Sequence, residues 1–320
     1  TGRWALLKLM GGGLRVGVSA RLAKSSLAQF GNVEVAEIEE VWHALEVPFE
    51  ELFSWLDGDN ERPSMEDRAV FRPLMLANPI SDEELEKIKP DDYALEWKWD
   101  GIRVQVSCNG NERRLFSRTG DDISNSFPEI IEDIKFNGVL DGELLVVKDK
   151  KVAPFNNLQQ RLNRKKVSDK LISEFPGHVR LYDILFDGQE DLRCNNFKYR
   201  RSRLEQFVAQ NKLQRMDLSE FVEFNVRDNL NDLHTACRES GLEGLMLKPW
   251  GSSYVAGRPK PGWFKWKRDP LMIDTVMMYA QRGHGRRSSF YSDFTFGVWR
   301  TNDGNIELVP VAKAYFGFTD

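Results

Sequence analysis

The sequence predicts an α+β fold with a short helical piece in front of it and a small, incomplete β-barrel behind. Three observations carry this. Apolar residues recur at helical spacing before residue 57, the period shifts to two from about residue 73, and strand-like stretches with no helical run follow Pro270. Residues 15 to 56 read as helices: Ile38, Val41, Trp42 and Leu45, then Phe49, Leu52, Phe53 and Leu56, fall at i, i+3, i+4, i+7. Asp57-Gly58-Asp59-Asn60 and Pro63 close that pattern, which places a linker near 57 to 72. In the core, Ile102, Val104 and Val106 alternate with Arg103, Gln105 and Ser107, and short apolar runs recur at 139 to 147, 179 to 186, 242 to 247 and 263 to 267. Leu204 to Val208, flanked by Lys198, Arg200, Arg201 and Arg203, and Leu230 to Cys237 read as surface helices. Thr275 to Tyr279, Phe294 to Trp299 and Ile306 to Phe318 supply the last strands.

Length and composition narrow the classes. At 320 residues the chain is long enough for two or three domains, each with its own core. With 45 Lys plus Arg against 49 Asp plus Glu, its net charge of −4 excludes a wholly basic nucleic-acid coat but leaves room for a basic groove. No apolar run approaches a membrane span, and no signal pattern opens the chain. Cys108, Cys194 and Cys237 are isolated and odd in number, which points to a reducing, cytoplasmic setting. Four scattered histidines and no CxxC leave nothing for a zinc site, so a metal would be held by oxygen. A chain that starts at Thr1 without Met and stops in strand-like sequence is expected to be a piece of a longer protein.

Charged residues fall on the strands, where burial is costly unless they meet each other or a ligand. Asp100-Gly101, between two alternating runs, signals a hairpin; Glu96 and Lys98 then share one strand face and Leu95, Trp97 and Trp99 the other. The remaining segments are Ser117-Arg118-Thr119-Gly120, Asp141-Gly142-Glu143, Glu243-Gly244-Leu245-Met246-Leu247-Lys248 and Trp263-Phe264-Lys265-Trp266-Lys267. The last puts both lysines on one face and Phe264 and Trp266 on the other. Lys98, Arg103, Arg118, Lys248, Lys265 and Lys267 with only two or three carboxylates describe a polyphosphate site.

In this order and spacing the segments resemble the covalent nucleotidyltransferase superfamily of DNA ligases, RNA ligases and capping enzymes. Lys98-x-Asp100-Gly101-x-Arg103 is similar to its nucleophile motif, and the likeness runs over residues 73 to 268. Within the superfamily the chain most resembles bacterial ATP-dependent DNA ligases, on the helical preface, Glu96 two residues before the lysine, and the strand-rich segment after Lys267. The resemblance implies a nucleotidyltransferase (ATP-grasp-like) core with antiparallel sheets. Residues 1 to 72 would be the helical end of a DNA-binding domain plus linker, 73 to 268 the adenylation domain, and 269 to 320 the first part of an OB-fold β-barrel. The family's final basic motif does not follow Phe316-Gly317-Phe318.

The resemblance also assigns roles. Lys98 would attack the α-phosphate of ATP and hold AMP, then pass it to the 5′-phosphate of a nick, which the 3′-hydroxyl closes. Neighbouring cations would activate that lysine by disfavouring its charged form. Lys248, Lys265 and Lys267 would contact the α-phosphate, and Glu143 and Glu243 would hold Mg²⁺, with Glu143 also on the ribose. Glu96 would accept the adenine amine, Tyr182 would stack on the base, and Arg103 and Arg118 would engage ribose and phosphate. In residues 258 to 287, Arg282, Arg286 and Arg287, and in the helical piece Arg15, would touch nicked double-stranded DNA. The implied protein is a monomeric, nucleoid-associated bacterial enzyme of DNA replication, repair or recombination. An RNA ligase or capping-type enzyme, or a non-catalytic DNA-binding module of the same fold, are the alternatives.

Overall fold

The computed structural model describes residues 18–45, 47–65, 68–162, 164, 166–224, 227–239, 242–269, 272–283, 289, 291–302 and 304–315. Residue contacts divide it into two compact units, one up to Arg268 and one from Asp269. Among the described residues, no helix is long and apolar enough to cross a membrane.

In the first unit, α1 (Ala20–Gly31), α2 (Val35–Trp42) and α3 (Glu50–Leu56) form the helical piece. The Ser19 hydroxyl accepts the Leu22 N–H at 3.2 Å and so satisfies a donor that the first turn of α1 leaves open. Ile38, Val41, Leu52 and Leu56 face inward as their spacing predicts, and with Ala28 they bury a small core. Phe53 does not: it is 45% exposed, one residue on from Leu52 and therefore about 100° around the helix from the Leu52–Leu56 stripe. The predicted linker is also not free along its whole length. Ala69, Val70 and Phe71 are buried, and the N–H groups of Ala69 and Arg72 bond Glu112 Oε2 and Gln105 Oε1 at 2.8 and 2.6 Å. Extended backbone laid on a core must find partners for its donors, and these two side chains supply them.

The strands of this unit are β1 (Asn78–Pro79), β2 (Tyr93–Lys98), β3 (Ile102–Asn109), β4 (Glu112–Ser117), β5 (Gly138–Lys148), β6 (Lys151–Val152), β7 (Gly177–Asp187), β8 (Glu190–Asp191), β9 (Met216–Leu218), β10 (Gly244–Pro249) and β11 (Phe264–Lys267). One sheet has the order β1-β11-β10-β2; the larger runs β4-β3-β5-β7-β8, with β6 on β5 and β9 on β7. Pairing is antiparallel except for β1 with β11 and β7 with β9.

The hairpin predicted at Asp100-Gly101 is corrected by this topology. β2 pairs with β10, whereas β3 pairs with β4 and β5, so the chain leaves one sheet after Lys98 and enters the other. Turn chemistry reports a change of direction and is silent on which strands pair across it. Gly101 is needed for a different reason: a Cβ there would sit 2.5 Å from the Leu144 carbonyl oxygen and 2.9 Å from Cγ of Glu143.

Three apolar clusters hold the sheets. α4 (Pro128–Asp133) and α5 (Phe197–Asn211) cover one face of the larger sheet, where Ile130, Leu204 and Phe207 meet Val106, Leu140 and Leu181. α6 (Arg227–Glu239) packs Leu230 and Cys237 on Leu95, Leu245 and Leu247 of the smaller sheet, beside Trp97, Phe264 and Trp266. Met75, Ala94, Val139, Leu185, Tyr254 and Trp263 join residues of both sheets. Each fully buried side chain of Leu or Phe size contributes about 1.5–3 kcal/mol.

α5 departs from a simple surface helix, since Arg200 and Arg201 are buried. Arg200 donates to both oxygens of the fully buried Asp183 at 2.8 and 2.9 Å and to the Asn195 and Ser252 carbonyls at 2.7 and 3.0 Å. The second unit is an antiparallel meander of β12 (Val276–Arg282), β13 (Tyr291–Asn302) and β14 (Asn305–Tyr315).

Removing Arg200 strands Asp183 as a buried, unpaired carboxylate. Arg200→Met is expected to cost about 3–5 kcal/mol in urea unfolding, against under about 1 kcal/mol for Arg300→Met, whose Glu307 partner is exposed. Equal costs would mean that the buried pair is not a keystone of the fold.

Candidate active site

A cavity of about 340 Å³ opens between the two sheets, lined at one end by Lys98, Glu143, Glu243, Lys265 and Lys267 and at the other by Glu96, Tyr182 and Lys248. Arg103, Arg118 and Trp263 complete its wall. The structure thus brings together every core residue that the sequence singles out.

Lys98 ends β2, directly opposite Gly244 of β10, and Lys267 of β11 lies opposite Gly244 on the other side. Glu243, one residue earlier, is ion-paired with both lysines. Burial opposes its charge, but the hydrogen bonds from Lys267 and Lys98 outweigh that and hold the carboxyl below its ordinary value. Gly244 is required here: at φ +146° its Cβ would lie 2.1 Å from the Trp266 carbonyl oxygen. Lys265 and Lys267 share the cavity face of β11, while Phe264 and Trp266 pack behind, as the alternation predicts. Lys265 has no ion-pair partner among the described residues. Burial lowers its pKa, and Arg258, Lys267, Lys98 and Arg118 lower it further. Behind this strand, the His234 ring stacks on Trp266 at 3.9 Å and bonds the Lys267 carbonyl through Nε2 at 3.0 Å.

Glu143 lies opposite Arg103 in the β3–β5 ladder. Burial pushes its pKa up to about 8; Lys98 and Arg103 oppose this, while Glu243 and Asp141 add to it. Arg103 is fixed rather than free. Its guanidinium bonds Asp141 Oδ2 at 2.6 Å, the Met75 carbonyl at 2.7 Å and the Tyr254 hydroxyl at 3.1 Å, and that hydroxyl donates to Asp141 at 2.6 Å. Arg118 sits in the turn after β4, held by hydrogen bonds among Ser117, Thr119 and Asp121. Gly120, at φ +83°, closes that turn against His43 of the helical piece, 2.3 Å from where a Cβ would be.

At the far end Lys248 is buried and paired with Glu96, its Nζ 3.0 Å from each carboxylate oxygen. Burial works against charge on both partners, raising the Glu96 pKa and lowering that of Lys248. Lys248 is therefore not placed as an open phosphate ligand, which departs from the α-phosphate contact expected for it. Tyr182 stands on the cavity wall, edge-on to Trp263 at 6.5 Å.

Asp141, Tyr254 and Trp263 carry no assigned role in the sequence reading, yet they fix Arg103 and the wall. Asp141 lies in the charged strand segment Asp141-Gly142-Glu143 and is legible there as the buried partner that Arg103 needs; Tyr254 has no local signal, being 113 residues from Asp141. Arg282 ends β12, in the second unit, 5.8 Å from the Tyr291 ring. Arg15, Arg286 and Arg287 lie outside the described residues.

The family model for the ATP dependent DNA ligase domain matches residues 74–267. A probable DNA ligase of Koribacter versatilis is 30% identical over 350 residues, covering 98% of this chain and 58% of that protein. DNA ligase 1 of Korarchaeum cryptofilum is 31% identical over 330 residues, covering 99% and 58%. The chain thus spans a little over half the length of these curated relatives. Among solved structures, one called Pmar-Lig_PreS3 is similar at a TM-score of 0.56 with 21% identity, over 78% of this chain and 57% of that one. A Lig E DNA ligase is similar at 0.54 with 17% identity, over 78% and 86%. These two likenesses bear on the fold alone.

The Glu143 carboxyl sets a pH dependence. Unfolded, it titrates near 4.5; folded, near 8, so between those values the native state binds more protons and stability falls as pH rises. The contribution is at most about 1.4 kcal/mol per pH unit. Glu143→Gln should flatten this fall in denaturant unfolding from pH 5 to 8 in chelator-containing buffer; an unchanged slope would refute the raised value.

Proposed function

The chain belongs to the ATP-dependent DNA ligase domain family, and from that premise we propose that its cavity forms a covalent lysyl-AMP from ATP and passes the AMP to a nick in duplex DNA. The observation that carries this reading is the convergence of Lys98 and Lys267 on Glu243 beside Lys265 and Arg118, which have no ion-pair partner among the described residues. Six cations and three carboxyl groups, Glu96, Glu143 and Glu243, line the cavity, so its lining carries a net excess of positive side chains. Such a site suits an anion with several charged oxygens.

In the proposed reaction Lys98 Nζ, as the free amine, bonds the α-phosphorus while the bond to pyrophosphate breaks, and its proton leaves to solvent. Lys265 and Lys267 neutralise the oxyanions of the transition state, and Arg118 takes a phosphate oxygen at the rim. The adenine lies toward Glu96 and Tyr182, about 7 Å along β2 from Lys98 at roughly 3.3 Å per residue. Arg103, tied down by Asp141 and Tyr254, presents a rigid wall to the ribose. AMP then passes to the 5′-phosphate of the nick, and the 3′-hydroxyl displaces it.

The donor set suits Mg²⁺, which takes one or two carboxylates and completes its octahedron with phosphate oxygens and water. Glu143 and Glu243 are close enough to raise the Glu143 pKa by their mutual charge, and a divalent cation would relieve that. Bound there, it would supply charge neutralisation at the phosphates. For DNA, Arg282 with Arg286, Arg287 and Arg15 would neutralise backbone phosphates, in keeping with residues 1 to 72 and 269 to 320 as DNA-contacting parts around the adenylation domain.

Intact mass after incubation with ATP and Mg²⁺, following removal of any AMP already bound, tests the reading. The unmodified chain should gain one AMP, Lys98→Ala none, and GTP should add nothing to either. A gain on Lys98→Ala would remove Lys98 as the nucleophile.

A further inference from the structure

The three N–H bonds of the Lys248 ammonium have three acceptors, none of them in the phosphate end of the cavity. Two are the Glu96 oxygens at 3.0 Å, and the third is the Tyr182 carbonyl at 3.5 Å. The rings of Tyr182, Trp263 and Phe197 stand 4.5, 4.5 and 4.9 Å from Nζ, closing a cage around it. Lys248 is 1% exposed and its partner Glu96 likewise 1%.

We propose that Lys248 is a specificity-determining positioning residue: it holds the Glu96 carboxylate in one orientation at the base end of the cavity, so that the pair, and not Glu96 alone, selects nucleotides with a 6-amino purine. The assignment rests on the proposed ATP reading and deepens it. Lys248 occupies one lone pair on each Glu96 oxygen, and a lone pair facing the cavity remains for an exocyclic N–H. A carboxylate held this way only accepts. A 6-keto purine would bring an acceptor against an acceptor, which a buried site cannot relieve with water. Without Lys248, Glu96 is a buried anion with no direct partner, since Arg201, the other cation near it, is bonded to Glu205 and to the Ser219 carbonyl. Its orientation is then no longer set.

The discriminating probe is purine riboside triphosphate, which lacks the 6-amino group but keeps every phosphate. Equilibrium binding is measured by calorimetry for this compound and for ATP. The unmodified chain should favour ATP by roughly 10- to 100-fold, and Lys248→Met should lose most of that preference by weakening ATP alone. If Lys248→Met fails to fold with Glu96 unpaired, Glu96→Gln and Glu96→Gln/Lys248→Met carry the test, because neither leaves a carboxylate buried there. The double variant should bind ATP within about twofold of Glu96→Gln. Equal weakening of both nucleotides by loss of Lys248, in either background, would make it a phosphate ligand or a general support and overturn the assignment. An unmodified chain that binds neither nucleotide would instead defeat the ATP reading beneath it.

Discussion

Three strands lie abreast at Gly244, and the site depends on that one backbone position. Lys98 stands on one side of it and Lys267 on the other, with Glu243 adjacent and ion-paired to both. No other residue fits, because a Cβ would meet the Trp266 carbonyl at 2.1 Å and the backbone already sits at φ +146°. The close packing of β2, β10 and β11 at this point is what turns two lysines 169 positions apart into neighbours across one carboxylate. Behind the strands, Leu95, Leu245, Trp97 and Trp266 bury the opposite face against α6, so the register that aligns the charges is enforced by apolar burial.

The cations of the cavity divide by what holds them. Arg103 is bound to Asp141, Tyr254 and a backbone carbonyl, and Lys248 to Glu96 and a backbone carbonyl; both are fixed with no need of a ligand. Lys98 and Lys267 share Glu243, so neither is fully neutralised. Lys265 and Arg118 have no carboxylate partner among the described residues. Charge is thus compensated at Glu96 and Arg103 and uncompensated at Lys265 and Arg118, the electrostatic form that the proposed nucleotide site requires. A uniform cluster of cations would repel itself and unfold the edge of the sheet.

The helical piece is coupled to this arrangement through short contacts. His43 fills the space that Gly120 leaves in the Arg118 turn and meets Phe71 edge-on at 4.8 Å. Glu40 of α2 bridges Arg72 and Arg193 at 2.7 and 3.0 Å. The stretch read as a linker is thus part of the packing, and the position of Arg118 is shared between β4 and the helices in front of it.

What the sequence by itself determined is local. Period-two alternation put Lys265 and Lys267 on one face and Glu96 and Lys98 on another, and period 3.6 put Ile38, Val41, Leu52 and Leu56 inside, because side-chain direction follows from backbone geometry alone. The combination of charged segments on strands also identified the residues that line the cavity. The tertiary structure decided which strands pair and who partners whom. Asp100-Gly101 looks like a hairpin from its neighbours, yet β2 finds β10 and β3 finds β5, since pairing is settled by burial over distances that turn chemistry does not sense. The same holds for Lys248, for which the family resemblance implies a phosphate contact and which folding sets 3.0 Å from Glu96, 152 residues away. A buried charge takes the partner that folding brings within 3 Å, and no local pattern records that partner.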